Sequence, residues 1–421
     1  MVWHQRFFWL LLLFLPTQIG LHFWPEWATV LGRKVDYLAP TIYLTDILLI
    51  MTLGWWLVPI GRTWLRGRYT HTKQSGIPLA FRSHLWVFAC VFFAIVSVLA
   101  SANRFVSLYA WLKAAEFILL GWYIVRTNPR LRDVVGPLSI AVFYSSVIAI
   151  SQFILQHSVG GLLWWVGERA FTVDTPGIAR VDFNGSLFSV PFSFFGLRPY
   201  ATFPHPNVLA GFLATMLPLM LFYQTKKNTM FTALVTGVGS IALVLTFSRS
   251  ALLVGASAII FVIARRNTPI LTRKRILMLL AVVFFTGLSL FRTTHFSDES
   301  VVVRAELNNA AIKLWVNAPV FGVGLGNFLV RLPEALPTRT IYFLQPVHNI
   351  YLLLLSEIGI FGVGLIVLWI FGHRQNGTAF QLSLFILLLL GFIDHYALTL
   401  QQGQLLLTLL FGFSLSAPRD S

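Results

Sequence analysis

Charged residues are scarce in this 421-residue chain, and acidic residues are the scarcest. Lys, Arg, Asp and Glu make up 11% of the sequence, with 15 acidic against 31 basic residues, whereas hydrophobic residues make up 57%. Soluble domains carry about 25% charged residues, so this chain has too little polar material for a large soluble catalytic domain. We therefore expect an integral membrane protein whose chemistry lies on loops at the bilayer surface.

Cysteine is almost absent as well. The single cysteine, Cys90, lies in an apolar run, so no intrachain disulfide can form. A disulfide scaffold, a disordered chain and a cytosolic enzyme are all excluded by this composition.

Long apolar runs are what the chain does have. A transmembrane helix needs about 20 mostly apolar residues, and the sequence predicts twelve such helices in one all-α, polytopic transmembrane domain spanning residues 1–421. The first is expected to be a retained helix, because no small-residue cleavage pattern follows it. The predicted helices are residues 7–24, 40–60, 84–102, 107–125, 134–156, 203–223, 229–247, 250–264, 276–292, 348–370, 379–396 and 401–416.

The net charge of +16 follows from topology. If both termini are cytoplasmic, the basic connectors all fall on the cytoplasmic side, as the positive-inside pattern requires. No nucleic-acid partner is expected. These connectors are residues 62–82, 126–132, 226–227, 265–275 and the one that contains Arg374.

Two connectors on the external face are long, residues 157–202 and 293–347, and function is expected there. The first is rich in aromatic residues and suits a segment half-buried among lipid headgroups. In the second, apolar residues recur at helical spacing, which predicts a short amphipathic helix on the membrane surface. These residues are Val303, Leu307, Ala311, Leu314 and Trp315.

Arg304 falls in the first turn of this surface helix, where side chain and helix dipole together could hold a phosphate. The alternative is a solvated arginine that pairs with Glu306, Glu299 or lipid headgroups. After the helix, Gly322, Gly324 and Gly326 form a G-x-G-x-G run, which fits no nucleotide-binding fingerprint because no strand precedes it. The glycine run forms either a tight turn or an anion-binding backbone nest, and both alternatives are kept.

His348-Asn349 stands at the external start of the tenth predicted helix. The positive helix end should keep the imidazole neutral, so that His348 can accept a proton as a general base. The alternative is a structural role. Gly359 falls on the same helix face, where it forms a lipid groove or a packing contact. Glu357 lies on the opposite face and deeper, so it cannot orient His348.

Arg249 lies in a connector so short that the residue must stay at the outer membrane interface. There it is either a ligand-binding residue or an interfacial anchor whose side chain snorkels. Four ionisable residues are predicted at membrane depth, where each needs a partner, as structural pairs or as a proton relay. They are Asp46, Lys113, Glu116 and Asp394. No metal-ligand spacing is present, so we predict metal independence and no cofactor.

Four stretches together resemble the O-antigen ligase and O-antigen polymerase family of bacterial membrane glycosyltransferases. The most specific resembles the family signature His-Asn-x9-Gly-x-x-Gly. Together they span residues 198–362, in the order of that family. The stretches are Arg198-Pro-Tyr-Ala-Thr-Phe-Pro-His-Pro-Asn-Val-Leu-Ala-Gly211, Thr246-Phe-Ser-Arg-Ser250, Arg304 with Trp315, Pro319 and Gly322-Val-Gly324, and His348-Asn349 with Gly359-Ile-Phe-Gly362.

The resemblance implies an inverting, metal-independent transfer of a glycan from an undecaprenyl diphosphate carrier to an acceptor hydroxyl, at the periplasmic face of the bacterial inner membrane. It makes Arg249 and Arg304 diphosphate contacts and His348 the base. The remaining residues that we expect to bind substrate are Arg198, Asn207, Asn349, Gly324 and Gly359.

The acceptor stays open among a glycan, a lipid A core and a protein hydroxyl. A ligase is favoured, and a polymerase of the same family is the alternative. From other classes, an exporter of lipid-linked glycans that uses the intramembrane charges, or a noncatalytic scaffold, also remains.

Overall fold

A computed structural model describes residues 2–65, 84–187, 190–223, 229–266, 298–337, 344–372 and 378–416. Within these ranges the chain is mostly helical, as expected. The helices are α1 (Trp3–Leu13), α2 (Leu44–Leu65), α3 (His84–Ala100), α4 (Arg104–Thr127), α5 (Leu131–Leu155), α6 (Pro206–Phe222), α7 (Thr229–Leu245), α8 (Arg249–Arg266), α9 (Asp298–Asn317), α10 (Phe328–Ala335), α11 (Ile350–Phe371), α12 (Thr378–Leu390), α13 (Tyr396–Thr399) and α14 (Gln401–Leu415).

In the described part of the chain, three helices are long and apolar enough to cross a membrane: Arg104–Thr127, Leu131–Leu155 and Ile350–Ile370. Several shorter apolar helices accompany them, among them Pro206–Phe222 and Ala379–Leu390. The number of spans and the orientation of the termini stay predictions. The predicted helix 276–292 and the basic connectors at 226–227 and Arg374 lie outside the described residues.

The prediction of one apolar helix over residues 7–24 is wrong. Helix α1 ends at Leu13, and its 11 residues rise only about 16 Å, roughly half the thickness of a bilayer core. Pro16 follows, and the chain then forms short antiparallel strands because the aromatic residues here suit extended backbone as well as helix. The strands are β1 (Gly20–His22), β2 (Thr29–Val30), β3 (Arg33–Lys34) and β4 (Thr41–Tyr43), with β1 paired to β4 and β2 to β3.

We call residues 14–43 the N-terminal ribbon. It belongs to one end of the bundle, together with the other long connections. The Thr202 hydroxyl donates to the Pro16 carbonyl oxygen (2.9 Å), which joins the ribbon to the chain before α6. A hairpin of β5 (Arg180–Leu187) and β6 (Val190–Leu197) lies in the preceding connector. We call the end of the bundle that carries the ribbon and these connections the loop end.

Two buried clusters of apolar side chains hold the protein together. The larger runs through α1, α2, α4 to α8, α11, α12 and α14, and is the core of the helix bundle. The smaller lies at the loop end and joins the ribbon to α9, α10 and the start of α11.

The predicted apolar face of α9 is confirmed, because Val303, Leu307, Ala311 and Leu314 are all buried. This face packs on protein, and the position of α9 at the membrane surface stays a prediction.

The sequence predicted a continuous helix here, but α11 breaks at Gly359, where φ is +62° and ψ is −174°. A side chain here would meet the Val320 carbonyl oxygen at 2.3 Å, so glycine is required twice over. The break frees backbone groups of α11, and residues 318–324, which we call the docking turn, bind them. Ile360 N–H donates to the Pro319 carbonyl (2.9 Å), and Gly324 N–H donates to the Glu357 carbonyl (2.9 Å).

Candidate active site

His348 lies at the loop end, one residue before the N-cap of α11, and its side chain is 18% exposed. Its Nδ1 atom is 3.8 Å from Asp394 Oδ1, a charge contact longer than a hydrogen bond. Its ring lies 5.0 Å from the ring of His395. Three side chains from two separate segments therefore form one cluster, which we call the His-Asp-His cluster: His348, Asp394 and His395.

Asp394 and His395 lie in a turn beyond the end of α12, since that helix stops at Leu390. The predicted helix 379–396 is therefore too long, and Asp394 is not inside a membrane-spanning helix. The His395 backbone N–H donates to Asp394 Oδ1 (2.8 Å), and His395 Nδ1 contacts the Thr399 hydroxyl (2.6 Å). These contacts within the turn hold the side chains of Asp394 and His395 in place.

Asn207 connects this cluster to Arg198. Its Nδ2 donates to Asp394 Oδ2 (3.3 Å), and its Oδ1 accepts from Arg198 Nη2 (2.7 Å). Arg198 also donates from Nε to the Thr246 carbonyl oxygen (2.7 Å), in the turn that precedes Arg249. Two of the predicted site residues thus form a hydrogen-bonded bridge between the connector before α6, the turn before α8 and the turn after α12.

Arg198, Arg249 and Arg304 lie close enough for their charges to interact. The pKa of Arg198 is lowered to about 10, chiefly by burial and also by the charges of Arg249 and Arg304, while Tyr200 and Asp394 act in the opposite direction. Arg198 therefore stays protonated at neutral pH. Three neighbouring guanidinium groups repel one another in the absence of an anion, so this grouping favours binding of a strongly negative group such as a diphosphate.

The charge of Arg304 also acts on the His-Asp-His cluster. The pKa of His395 is lowered to about 4, chiefly by burial and also by His348 and Arg304, while Asp394 opposes the change. The ring of His395 is therefore neutral at pH 7. Because Arg304 acts on both Arg198 and His395, the cations and the cluster belong to one region of the protein.

Asp394 is the anion of this region. Burial raises the pKa of its carboxyl group, but the imidazoles of His348, His395 and His205 more than offset that effect and lower the pKa below its ordinary value. Asp394 is thus ionised at neutral pH and can stabilise positive charge on His348.

The remaining predicted site residues have structural contacts. Asn349 is the N-cap of α11, where its Oδ1 accepts from Tyr351 N–H (2.9 Å) and Leu352 N–H (3.1 Å). Gly324 has a φ of +102° and packs against Ser101, and Gly359 forms the helix break. The structure places both glycines where the docking turn meets its neighbours, not among the side chains around His348. Their substrate-binding roles stay predictions.

The four ionisable residues predicted at membrane depth divide between two places. Lys113 pairs with Glu116, three residues further along α4 (2.7 Å), and also with Asp46 (2.6 Å). Gln401 donates to Asp46 and to the Thr45 hydroxyl (3.0 Å), which joins α2, α4 and α14. Three of the four charges thus form a paired network, while Asp394 belongs to the candidate site.

Glu357 is likewise engaged elsewhere. Its Oε1 accepts from Phe328 N–H (3.2 Å) at the start of α10. As expected, it does not orient His348.

Sequence reasoning missed His395 and placed Asp394 within a helix. The signal was an adjacent Asp-His pair at the end of an apolar run, just after Gly391. A metal ion could also bind here, because ligand atoms of His348, Asp394 and His395 lie within 4.8 Å of one another. Metal independence therefore stays a prediction.

The fold and the site define a helical membrane protein with a cationic centre and adjacent imidazoles at its loop end. Residues 233–367 match the model of the family described as O-antigen ligase. This match covers less than half of the chain, and over these residues it confirms the resemblance seen in the motifs. The matched segment contains Arg249, Arg304 and His348, whereas Arg198 and Asp394 lie on either side of it. A search of curated proteins finds no match.

Proposed function

We propose that the protein is a glycosyltransferase of the bacterial inner membrane that moves a glycan from an undecaprenyl diphosphate carrier to an acceptor hydroxyl in cell-surface polysaccharide assembly. The observation that carries this proposal is the grouping of Arg198, Arg249 and Arg304 beside the His-Asp-His cluster at one end of the bundle. One region thus offers charge for a leaving diphosphate and a base for an acceptor.

The arginines act on the donor. Cleavage of the bond between the anomeric carbon and the phosphate oxygen leaves its electron pair on undecaprenyl diphosphate. Guanidinium groups stabilise this charge by paired N–H donors, so three of them supply the electrostatic assistance that a metal ion supplies elsewhere. The reaction is therefore proposed to need no metal.

His348 acts on the acceptor. Its Nδ1 faces Asp394, which leaves Nε2 as the nitrogen that takes the proton of the acceptor hydroxyl. The acceptor oxygen attacks the anomeric carbon on the side opposite to the diphosphate, so the configuration inverts. Asp394 stabilises the imidazolium that forms.

The experiment is glycan transfer by purified protein in liposomes that contain undecaprenyl diphosphate-linked repeat unit. His348→Ala and Arg304→Ala are expected to lower transfer by at least about 100-fold, since each removes a group that acts in the transition state. Arg331→Ala is the matched control, because Arg331 pairs with Glu334 on α10 (2.8 Å). Transfer that persists in both site variants contradicts the proposal.

The acceptor separates the two family activities. A lipid A core that accepts the glycan supports a ligase, which the His348-Asn349 signature favours. Extension of the repeat unit itself supports a polymerase.

An exporter of lipid-linked glycans is the candidate from another class, and the paired Asp46–Lys113–Glu116 network is the observation that favours it. An exporter that couples through this network depends on Lys113 for transport. Lys113→Met then abolishes movement of the lipid-linked glycan, while a transferase with this substitution retains glycan transfer wherever the protein still folds.

A further inference from the structure

The N-terminal ribbon lies against the candidate site, although no part of it belongs to the matched segment. Its residues Val30, Val35 and Leu38 are buried in the smaller core cluster together with apolar residues of α9. The ribbon is therefore anchored to the helix that carries Arg304. A side chain on its open side has a fixed position relative to the catalytic groups.

Tyr37 is such a side chain. It lies next to buried Leu38, in a tight turn where Leu38 N–H donates to the Val35 carbonyl (2.9 Å). The Tyr37 ring meets the ring of His395 edge-on, with 5.6 Å between centroids. The residue nevertheless remains 38% exposed, so part of its ring is open to a ligand.

The surroundings of Tyr37 keep its phenol group protonated. Burial raises the pKa of its phenol, the nearby carboxylates of Asp394 and Asp36 add to this rise, and together they bring it to about 12. The phenol is thus neutral at physiological pH. It presents an apolar face with a polar edge, which is the surface that pyranose rings with their C–H faces and hydroxyl groups complement.

Two directions of approach to the cluster follow from the contacts. Arg198 reaches Asp394 through Asn207, on the side where the arginines group. Tyr37 reaches the cluster through His395. A donor diphosphate occupies the arginines, so the aromatic ring is available to the second substrate.

We propose that Tyr37 is an acceptor-binding residue, whose ring packs against a sugar of a carbohydrate acceptor and so presents the acceptor hydroxyl to His348. The inference rests on the proposed function and deepens it, because it selects a glycan acceptor over a protein hydroxyl. The occupant is chosen by chemistry, since a sugar ring offers both the apolar face and the nucleophilic hydroxyl.

The test is steady-state kinetics of purified protein in liposomes, with undecaprenyl diphosphate-linked repeat unit as donor. Lipid A core, free repeat-unit glycan and a serine/threonine-rich peptide serve as acceptors in separate arms. Tyr37→Ala is expected to raise the KM for the glycan acceptor about tenfold, in line with the loss of one aromatic contact, while the KM for the donor stays near the wild-type value. Tyr37→Phe and Tyr37→Trp, which keep a ring, restore most of the acceptor affinity.

Trp165→Ala is the matched control, because Trp165 is an exposed aromatic residue (80%) in the 3-10 helix Gly161–Val166 of another connection. Tyr37→Leu keeps the bulk of the side chain without the ring, and it replaces Tyr37→Ala if that variant has a lowered thermal midpoint.

The outcomes separate the two proposals. An unchanged acceptor KM in Tyr37→Leu, an equal rise in donor and acceptor KM, or transfer to the peptide alone overturns the role of Tyr37. Wild-type protein that consumes no donor with any acceptor refutes the proposed function itself.

Discussion

Replacement of Asp394 by Asn gives the sharpest test of how the site works. The substitution keeps the size of the side chain but removes the negative charge that lies 3.8 Å from His348 Nδ1. If His348 takes a proton in the transition state, this charge stabilises the imidazolium. At an effective dielectric constant of about 20, two charges at this separation attract one another by about 4 kcal/mol.

Each 1.4 kcal/mol corresponds to about a factor of ten in rate, so the full attraction is worth about a thousandfold. The side chains of His348 and Asp394 are 18% and 15% exposed, and water therefore screens part of it. We expect kcat to fall by about 100- to 1000-fold in Asp394→Asn.

The assay is release of undecaprenyl diphosphate in liposomes under saturating donor and acceptor. Asp36→Asn is the matched control, since Asp36 is an exposed carboxylate on the ribbon next to Tyr37. Thermal midpoints report whether each variant folds. If a folded Asp394→Asn protein keeps more than a third of the wild-type kcat, Asp394 does not stabilise charge on His348 and the mechanism is wrong.

Three further outcomes follow from the structure. Dialysis against a chelator should leave transfer unchanged, whereas a loss that Zn²⁺ or Mn²⁺ restores would show that the His-Asp-His cluster holds a metal. Stability should fall as the pH is lowered from about 6.5 to 4. Burial lowers the pKa of His205 to about 3 and that of His395 to about 4, so only the unfolded state takes up their protons there, at about 1.4 kcal/mol per pH unit for each group. A thermal midpoint that does not depend on pH in this range, or one that depends on it equally after both residues are changed to Asn, would contradict this assignment. Gly359→Ala should destabilise the protein by about 2–4 kcal/mol, since φ is +62° and the new methyl group meets the Val320 carbonyl oxygen at 2.3 Å. Gly54→Ala, with open space around it, should not change the thermal midpoint, which detergent-based melting measures for both.

Hydropathy predicted most of the described helices because apolar runs of sufficient length have no other stable state in a bilayer. The prediction failed where aromatic residues were counted as apolar. Residues 14–24 continue the apolar run of α1, yet Pro16 and the aromatic residues that follow favour short strands. The same reasoning extended the helix before Asp394 by several residues and so hid the turn that carries Asp394 and His395.

The candidate site was predictable only in part. Arg249, Arg304 and His348 stood out because each occurs at the edge of an apolar segment in a motif of the family. The bridge from Asn207 to Asp394 joins residues 187 positions apart, and nothing in one sequence specifies such a pair. The break at Gly359 was also hidden, since it depends on the docking turn that binds the freed backbone groups.

That docking turn makes α9 and α11 move together. Residues 318–324 follow α9 directly and share backbone hydrogen bonds with α11 on both sides of its break: Val323 N–H donates to the Ser356 carbonyl (2.9 Å), and Phe361 N–H donates to the Val320 carbonyl (3.1 Å). Arg304 and His348 therefore sit on a single rigid frame. We expect α9 and α11 to keep their relative position during turnover, so that substrates enter and leave past segments that are not bonded to these two helices.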